Sequence, residues 1–191
     1  VGVDIKPQPH YCGDAFIQAD VMTLKPEFLR QFDAIHASPP CQWITHAAIQ
    51  WRAQGKQYPA LLEPTRDLLV QAGRPYVIEQ PVGQVLRNPL LLNGAMFGLM
   101  VKRDRYFETN WPLPMCLLPQ DAKPGKMGRP FDARKRELFY PVGHFSGVKE
   151  AGVIMECPWM TGEELTQAIP PAFTRFIGAR LLAQVQREAR E

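Results

Sequence analysis

The run Phe32-Asp33-Ala34-Ile35-His36-Ala37-Ser38-Pro39-Pro40-Cys41-Gln42 limits what this chain can fold into, because an apolar segment there ends in two prolines and a cysteine. Ala34, Ile35 and Ala37 suit a short buried strand, and Pro39 and Pro40 end it, since neither has an amide hydrogen to give to a ladder. Cys41 is therefore predicted at the carboxyl end of a parallel strand, where open α/β sheets place ligands and reactive groups. A free cysteine is also commonly a small buried hydrophobe, so its position alone leaves both readings open. Arg74-Pro75-Tyr76-Val77-Ile78-Glu79-Gln80-Pro81 repeats the pattern of apolar run, polar residue and proline, which predicts Glu79 on the same sheet edge. A thiol and a carboxyl on neighbouring strand ends form a candidate site, because a thiolate in a polar or electropositive setting is a nucleophile.

The remaining elements are read around that edge. Val1–Ile5 and Phe16–Val21 predict strands, and Pro26–Gln31 a short helix. Leu61, Leu62, Leu68 and Leu69 predict an amphipathic helix with Pro64 in its first turn and Gly73 just past its end. Strand and helix alternate, which predicts an α/β fold built on a doubly wound, mostly parallel sheet. Leu86–Gly98 reads as a buried helix or set of turns, and Val101–Thr109 as a strand with Arg103 and Arg105 on one face. Trp43–Pro59 lacks clean periodicity; its Trp43, Trp51 and Tyr58, interleaved with His46, Arg52 and Lys56, suit either a packed loop or a mobile lid. Thr161 with Glu164 three residues on predicts a capped helix start. After Pro170-Pro171, Phe173, Phe176, Ile177, Leu181, Leu182 and Val185 recur at helical spacing, which predicts a last helix packed back on the sheet.

Composition excludes several classes. With 191 residues, 46% of them hydrophobic, the chain can bury one core plus a small appendage. The predicted division is a catalytic α/β part at 1–110, a small irregular part at 111–160, and a helical return at 161–191. Cys12, Cys41, Cys116 and Cys157 lie far apart with no His at ligand spacing, so neither a zinc site nor a disulfide framework is indicated. That usage fits a reducing cytoplasm. No apolar run approaches the roughly 20 residues of a membrane span, so the reading is of a soluble monomer without membrane or metal partners. The net charge of +3 is mild, but Trp111–Glu150 holds seven Lys or Arg against four Asp or Glu and can account for all of it. Such a segment is either a solvated surface or a contact for a phosphate backbone.

The motifs resemble those of DNA cytosine C5-methyltransferases. Ser38-Pro39-Pro40-Cys41-Gln42 resembles the family's Pro-Cys-Gln nucleophile motif, Val77-Ile78-Glu79-Gln80-Pro81 its Glu-Asn-Val motif, and Lys102-Arg103-Asp104-Arg105-Tyr106-Phe107 its Arg-x-Arg motif. Leu165–Gly178 resembles the closing motif of small, phage-type members, such as serve in phage or restriction-modification DNA methylation. Four motifs in the family's order span most of the chain. Gln80 stands where the family has an Asn that helps hold the nucleophile loop, and Pro81 removes an amide beside it.

The resemblance implies a transferase that moves a methyl group from S-adenosylmethionine to C5 of cytosine in double-stranded DNA. It implies Cys41, Glu79, Arg103 and Arg105 as catalytic residues and 111–160 as a small target-recognition region. Asp4, Ile5, Asp20, Val21 and Pro40 would bind cofactor. Gln42, Arg52, Lys56, Arg134, Lys135 and Arg136 would contact nucleic acid, with the 43–59 loop closing over a flipped base. The family's first strand and glycine-rich turn are expected upstream of Val1. Related enzymes act on transfer RNA with the same motifs, so RNA methylation is an alternative. A nucleic-acid-binding module without turnover is another.

Overall fold

The computed structural model describes residues 1–114, 123–124, 137–141 and 145–190. β1 (Gly2–Asp4) lies parallel to β2 (Phe16–Gln18), with Asp4 opposite Gln18. The short helix α1 (Pro26–Leu29), with Pro26 at its first position, leads to β3 (Ile35–Ala37). Two helices, α2 (Ile49–Ala53) and α3 (Leu62–Ala72), then precede β4 (Tyr76–Gln80), which pairs in parallel with β3. β5 (Leu90–Leu92) and β6 (Arg105–Thr109) complete the order β3-β4-β6-β5, with β6 antiparallel to both of its neighbours. β7 (Lys123–Pro124) pairs in parallel with β8 (Glu137–Leu138), and the chain ends in α4 (Val148–Ile154), α5 (Gly162–Gln167) and α6 (Pro171–Glu188).

The fold is thus mixed α/β, with parallel and antiparallel pairings. Among the described residues the β1-β2 pair and the β3-β4-β6-β5 sheet are not hydrogen-bonded to each other. Leu86–Gly98, expected as a helix or turns, contains strand β5 and a 3₁₀ turn at Gly94–Phe97. Three consecutive leucines have neither helical nor alternating periodicity, so only their pairing along β6 reveals the strand. Arg103 likewise falls outside β6, in an irregular stretch before it.

All five residues of β4 are buried, and alternation sends them to two different faces. Tyr76 and Ile78 pack with Leu29 of α1 and Leu62, Leu69 and Ala72 of α3. Val77 joins Leu90, Leu92 and Phe107 under Phe173 and Ile177 of α6, so the last helix packs back on the sheet. α3 stops at Gly73, whose φ of 66° gives the left-handed cap and whose amide bonds to Leu69 and Val70 carbonyls. The capping box of Thr161 and Glu164 opens α5. A separate cluster of Val101, Phe139, Ala151, Met155, Cys157 and Leu165 packs the C-terminal elements together. Backbone bonds from Lys102 N to Phe139 O (2.7 Å) and from Phe139 N to Met100 O (2.8 Å) join Phe139 to the stretch that leads into β6.

On the α3 face of the sheet, Arg66 and Glu108 form a buried two-pronged pair, Nε to Oε1 at 2.7 Å and Nη2 to Oε2 at 2.9 Å. Glu108 also accepts from Arg87 N, and Arg66 donates to Val85 O and contacts Glu63. Removing one partner strands the other charge out of water, which is the costly half of any buried pair. Arg66→Met should therefore cost about 3–5 kcal/mol of stability in urea unfolding, and Arg66→Met with Glu108→Met should regain most of that. A single-variant loss below about 1 kcal/mol, as for a surface pair, would contradict this reading.

Candidate functional site

The parallel register brings the two predicted strand ends together. Ala37 pairs with Ile78, so Ser38 falls level with Glu79 and Pro39 with Gln80, and Cys41 lies just beyond them. Gln80, 1% exposed, donates from Nε2 to Pro39 O at 2.6 Å, which ties the end of β4 to the proline pair before the cysteine. Gln80 thus holds the loop that carries Cys41. Beyond the cysteine, its carbonyl accepts from Ile44 N and Thr45 N, closing a tight turn. Cys41 is half-buried there.

Glu79 and Phe107 are opposite one another across β4 and β6, and Arg105 lies two residues from Phe107 on the same face. Arg105 Nε consequently reaches 2.8 Å from Glu79 Oε1. The pair is a charge contact rather than an aligned hydrogen bond, since buried Oε1 accepts none. Glu79 is only 6% exposed, and burial pushes its carboxyl above the ordinary range, against the pull of Arg105, the Ser38 hydroxyl and Arg103. Burial likewise pushes the Cys41 thiol up, and the Glu79 carboxylate adds to it, while Arg105, a backbone contact and the Thr45 hydroxyl oppose them. Cys41, Glu79, Arg103 and Arg105 are therefore one electrostatic cluster. Burial also lowers Arg103 to about 9, with Arg105 pushing the same way and Glu79, Tyr140 and Cys41 opposing.

The other sequence-predicted residues divide. Asp4 ends β1, and its side chain accepts from Lys6 N at 2.8 Å and Gln8 Nε2 at 3.1 Å. Asp20 caps a 3₁₀ turn that begins at Val21, accepting from Met22 N at 2.9 Å through Oδ1. Ile5 follows Asp4 and is 64% exposed, and Pro40 lies past the end of β3. These five residues occupy the carboxyl ends of β1, β2 and β3. From α2, Arg52 Nη1 donates to Gln42 O (2.5 Å) and Thr45 O (2.9 Å), so it braces the Cys41 turn from outside. Lys56 Nζ sits 5.4 Å from the Tyr58 ring centroid. Arg134, Lys135 and Arg136 lie outside the described residues.

Sequence reasoning did not single out Ser38, Thr45 or Tyr140. Ser38 could have been found from parallel register, because the first residue past β3 must lie beside the penultimate residue of β4. Tyr140 carries no local signal, since its segment is brought to the cluster by the bridge between Val101 and Phe139 and by the bond from Arg103 to Pro141 O. No helix of the described residues is long and apolar enough to cross a membrane, and no group of three or more His, Cys, Asp or Glu among them is placed to hold a metal ion. Comparison with family models, curated proteins and solved structures returned no match.

The thiol chemistry has a direct check. Iodoacetamide labelling of Cys41, followed by peptide mass mapping, should be slow at neutral pH and accelerate as pH rises past the ordinary thiol range. Glu79→Gln removes a negative charge that disfavours the thiolate, so it should speed neutral labelling, whereas Arg105→Met should slow it further. Rapid wild-type labelling at neutral pH, or opposite responses in the two variants, would contradict this electrostatic account.

Proposed function

We propose that this chain transfers a methyl group from S-adenosylmethionine to C5 of cytosine in DNA, through a covalent Cys41 adduct at C6 of a flipped base. The observation that carries the reading is the meeting of Cys41, Glu79 and Arg105 at the carboxyl ends of β3 and β4. The motif resemblance supports the same reaction. The two sheets are read as parts of one doubly wound, mostly parallel sheet. β1-β2 and β3-β4 are parallel pairs, the second connected through α2 and α3, and one further strand between β1 and β3 would unite them.

Cytosine C5 is too weak a nucleophile to take a methyl group unaided. The Cys41 thiol gives its proton to solvent as sulfur bonds to C6, while Glu79 passes a proton to N3 and so neutralises the charge that develops in the ring. A carboxyl whose hold on a proton is strengthened by burial suits that transfer. Arg105 places a positive charge beside both groups and donates to the ring's O2. The electron-rich C5 formed in this way would take the methyl group as the bond from that carbon to the sulfonium sulfur breaks, with S-adenosylhomocysteine leaving as the neutral thioether. Loss of the C5 proton to solvent then expels Cys41 as the S–C6 bond breaks, and N3 returns its proton to Glu79.

S-adenosylmethionine supplies the electrophilic methyl on a sulfonium. Its adenosine suits Asp4, Ile5, Asp20, Val21 and Pro40, because a row of strand ends there offers two carboxylates and an exposed apolar side chain. Asp20 Oδ2 accepts no hydrogen bond among the described residues and is free to take the adenine amino group. Asp4 is suited to the ribose hydroxyls, in exchange for its contact with Gln8.

Tritiated methyl transfer tests the reading. Wild-type protein should label cytosine in duplex DNA and not in transfer RNA, and Cys41→Ser should lower the rate by at least about 10³-fold. Labelling of RNA alone would move the substrate to RNA. Cofactor binding without labelling of either would leave a binding module.

A further inference from the structure

We infer that Arg103 is a positioning residue that latches the C-terminal elements to the charged pair of Glu79 and Arg105, rather than a group that touches substrate. The inference rests on the methyl-transfer reading for its consequence and on hydrogen-bond geometry for its content. Arg103 is 2% exposed, and its donors go to main-chain carbonyls. Nε bonds to Ala168 O at 3.0 Å, Nη2 to both Thr166 O and Ala168 O at 2.7 Å, and Nη1 to Pro141 O at 3.3 Å. A guanidinium has five N–H groups in a fixed fork. Little of this one is left for a ligand.

Its partners explain why a buried cation is tolerated without a carboxylate bonded to it. Thr166 and Ala168 belong to the last turn and C-cap of α5, where helix carbonyls lack intrahelical donors and the helix dipole is negative. Arg103 caps that end. Pro141 belongs to the other segment that joins the stretch before β6, two residues past Phe139 in the bridge with Val101. The same guanidinium therefore gathers residues 141, 166 and 168 within electrostatic reach of Cys41, Glu79 and Arg105. A shift of α5 or of 139–141 has to move Arg103, and with it Arg105 two residues on. The described parts of the C-terminal half thereby govern the alignment of the charged pair.

Lysine keeps the charge but has no fork to span three carbonyls. In the full-length protein, Arg103→Lys should lower kcat for methyl transfer by about 10²-fold, the size expected of a small misplacement, while KM for S-adenosylmethionine stays within about twofold. Hydrogen exchange should rise at 139–141 and 161–168 and stay unchanged at 62–80. Arg105→Lys should lower kcat without raising exchange in either segment. Two results would overturn the inference. One is an Arg103→Lys defect with undisturbed exchange at 139–141 and 161–168, which marks direct substrate contact. The other is faster exchange at 62–80 as well, which marks a general folding contact. Absence of methyl transfer by wild type would refute the activity but leave the exchange comparison able to decide the latch.

Discussion

Glu79 sits at the end of a strand buried on both faces, and most of the local architecture follows from what a carboxyl in that position demands. Taking a carboxylate out of water is expensive unless a cation or strong donors meet it. β6 meets it by running antiparallel beside β4, which puts Arg105 on the correct face and within 2.8 Å. The proline-terminated β3 meets it from the other side with Ser38 and delivers Cys41 to the same place. The thiol and the carboxyl then perturb each other, and both are shifted away from their charged forms.

The sheet offers an internal comparison. Arg66 and Glu108 lie on the α3 face and form two directed bonds, with further partners on each side. Both oxygens of Glu108 accept directed bonds, so the pair is a structural tie. Glu79 and Arg105 are also buried, yet Oε1 of Glu79 receives no directed hydrogen bond. A charge contact with unused bonding capacity beside a half-buried thiol is a place where a substrate atom can complete the network. Both are Arg–Glu pairs, the first joining helix α3 to β6 and the second joining the neighbouring strands β4 and β6. Alignment, rather than charge, separates the functional candidate from the structural pair.

Much of this could be read from the sequence, and the rest failed for identifiable reasons. The positions of Cys41 and Glu79 were legible because proline ends a strand by removing donors, a local effect that needs no tertiary information. α3, with Pro64 inside and Gly73 beyond, and the Thr161 cap were legible for the same kind of reason. β5 was not, because Leu90–Leu92 is a strand only by virtue of its partner β6. Arg103 and Arg105 looked equivalent two residues apart, but carbonyls 63 and 65 residues away claim Arg103, and nothing near it in sequence announces them. Arg52 read as a backbone contact for nucleic acid, and nothing near it in sequence announces that its Nη1 also donates to carbonyls that shape the Cys41 turn.

The account depends on Cys41 being the atom that bonds to the base. Incubating the protein with S-adenosylmethionine and DNA carrying 5-fluorocytosine blocks the final loss of the C5 substituent and should leave a denaturation-resistant adduct. Peptide mass mapping should place that adduct on Cys41, and Cys41→Ser should abolish it. An adduct on Cys12, Cys116 or Cys157, or undiminished trapping in the serine variant, would contradict the account.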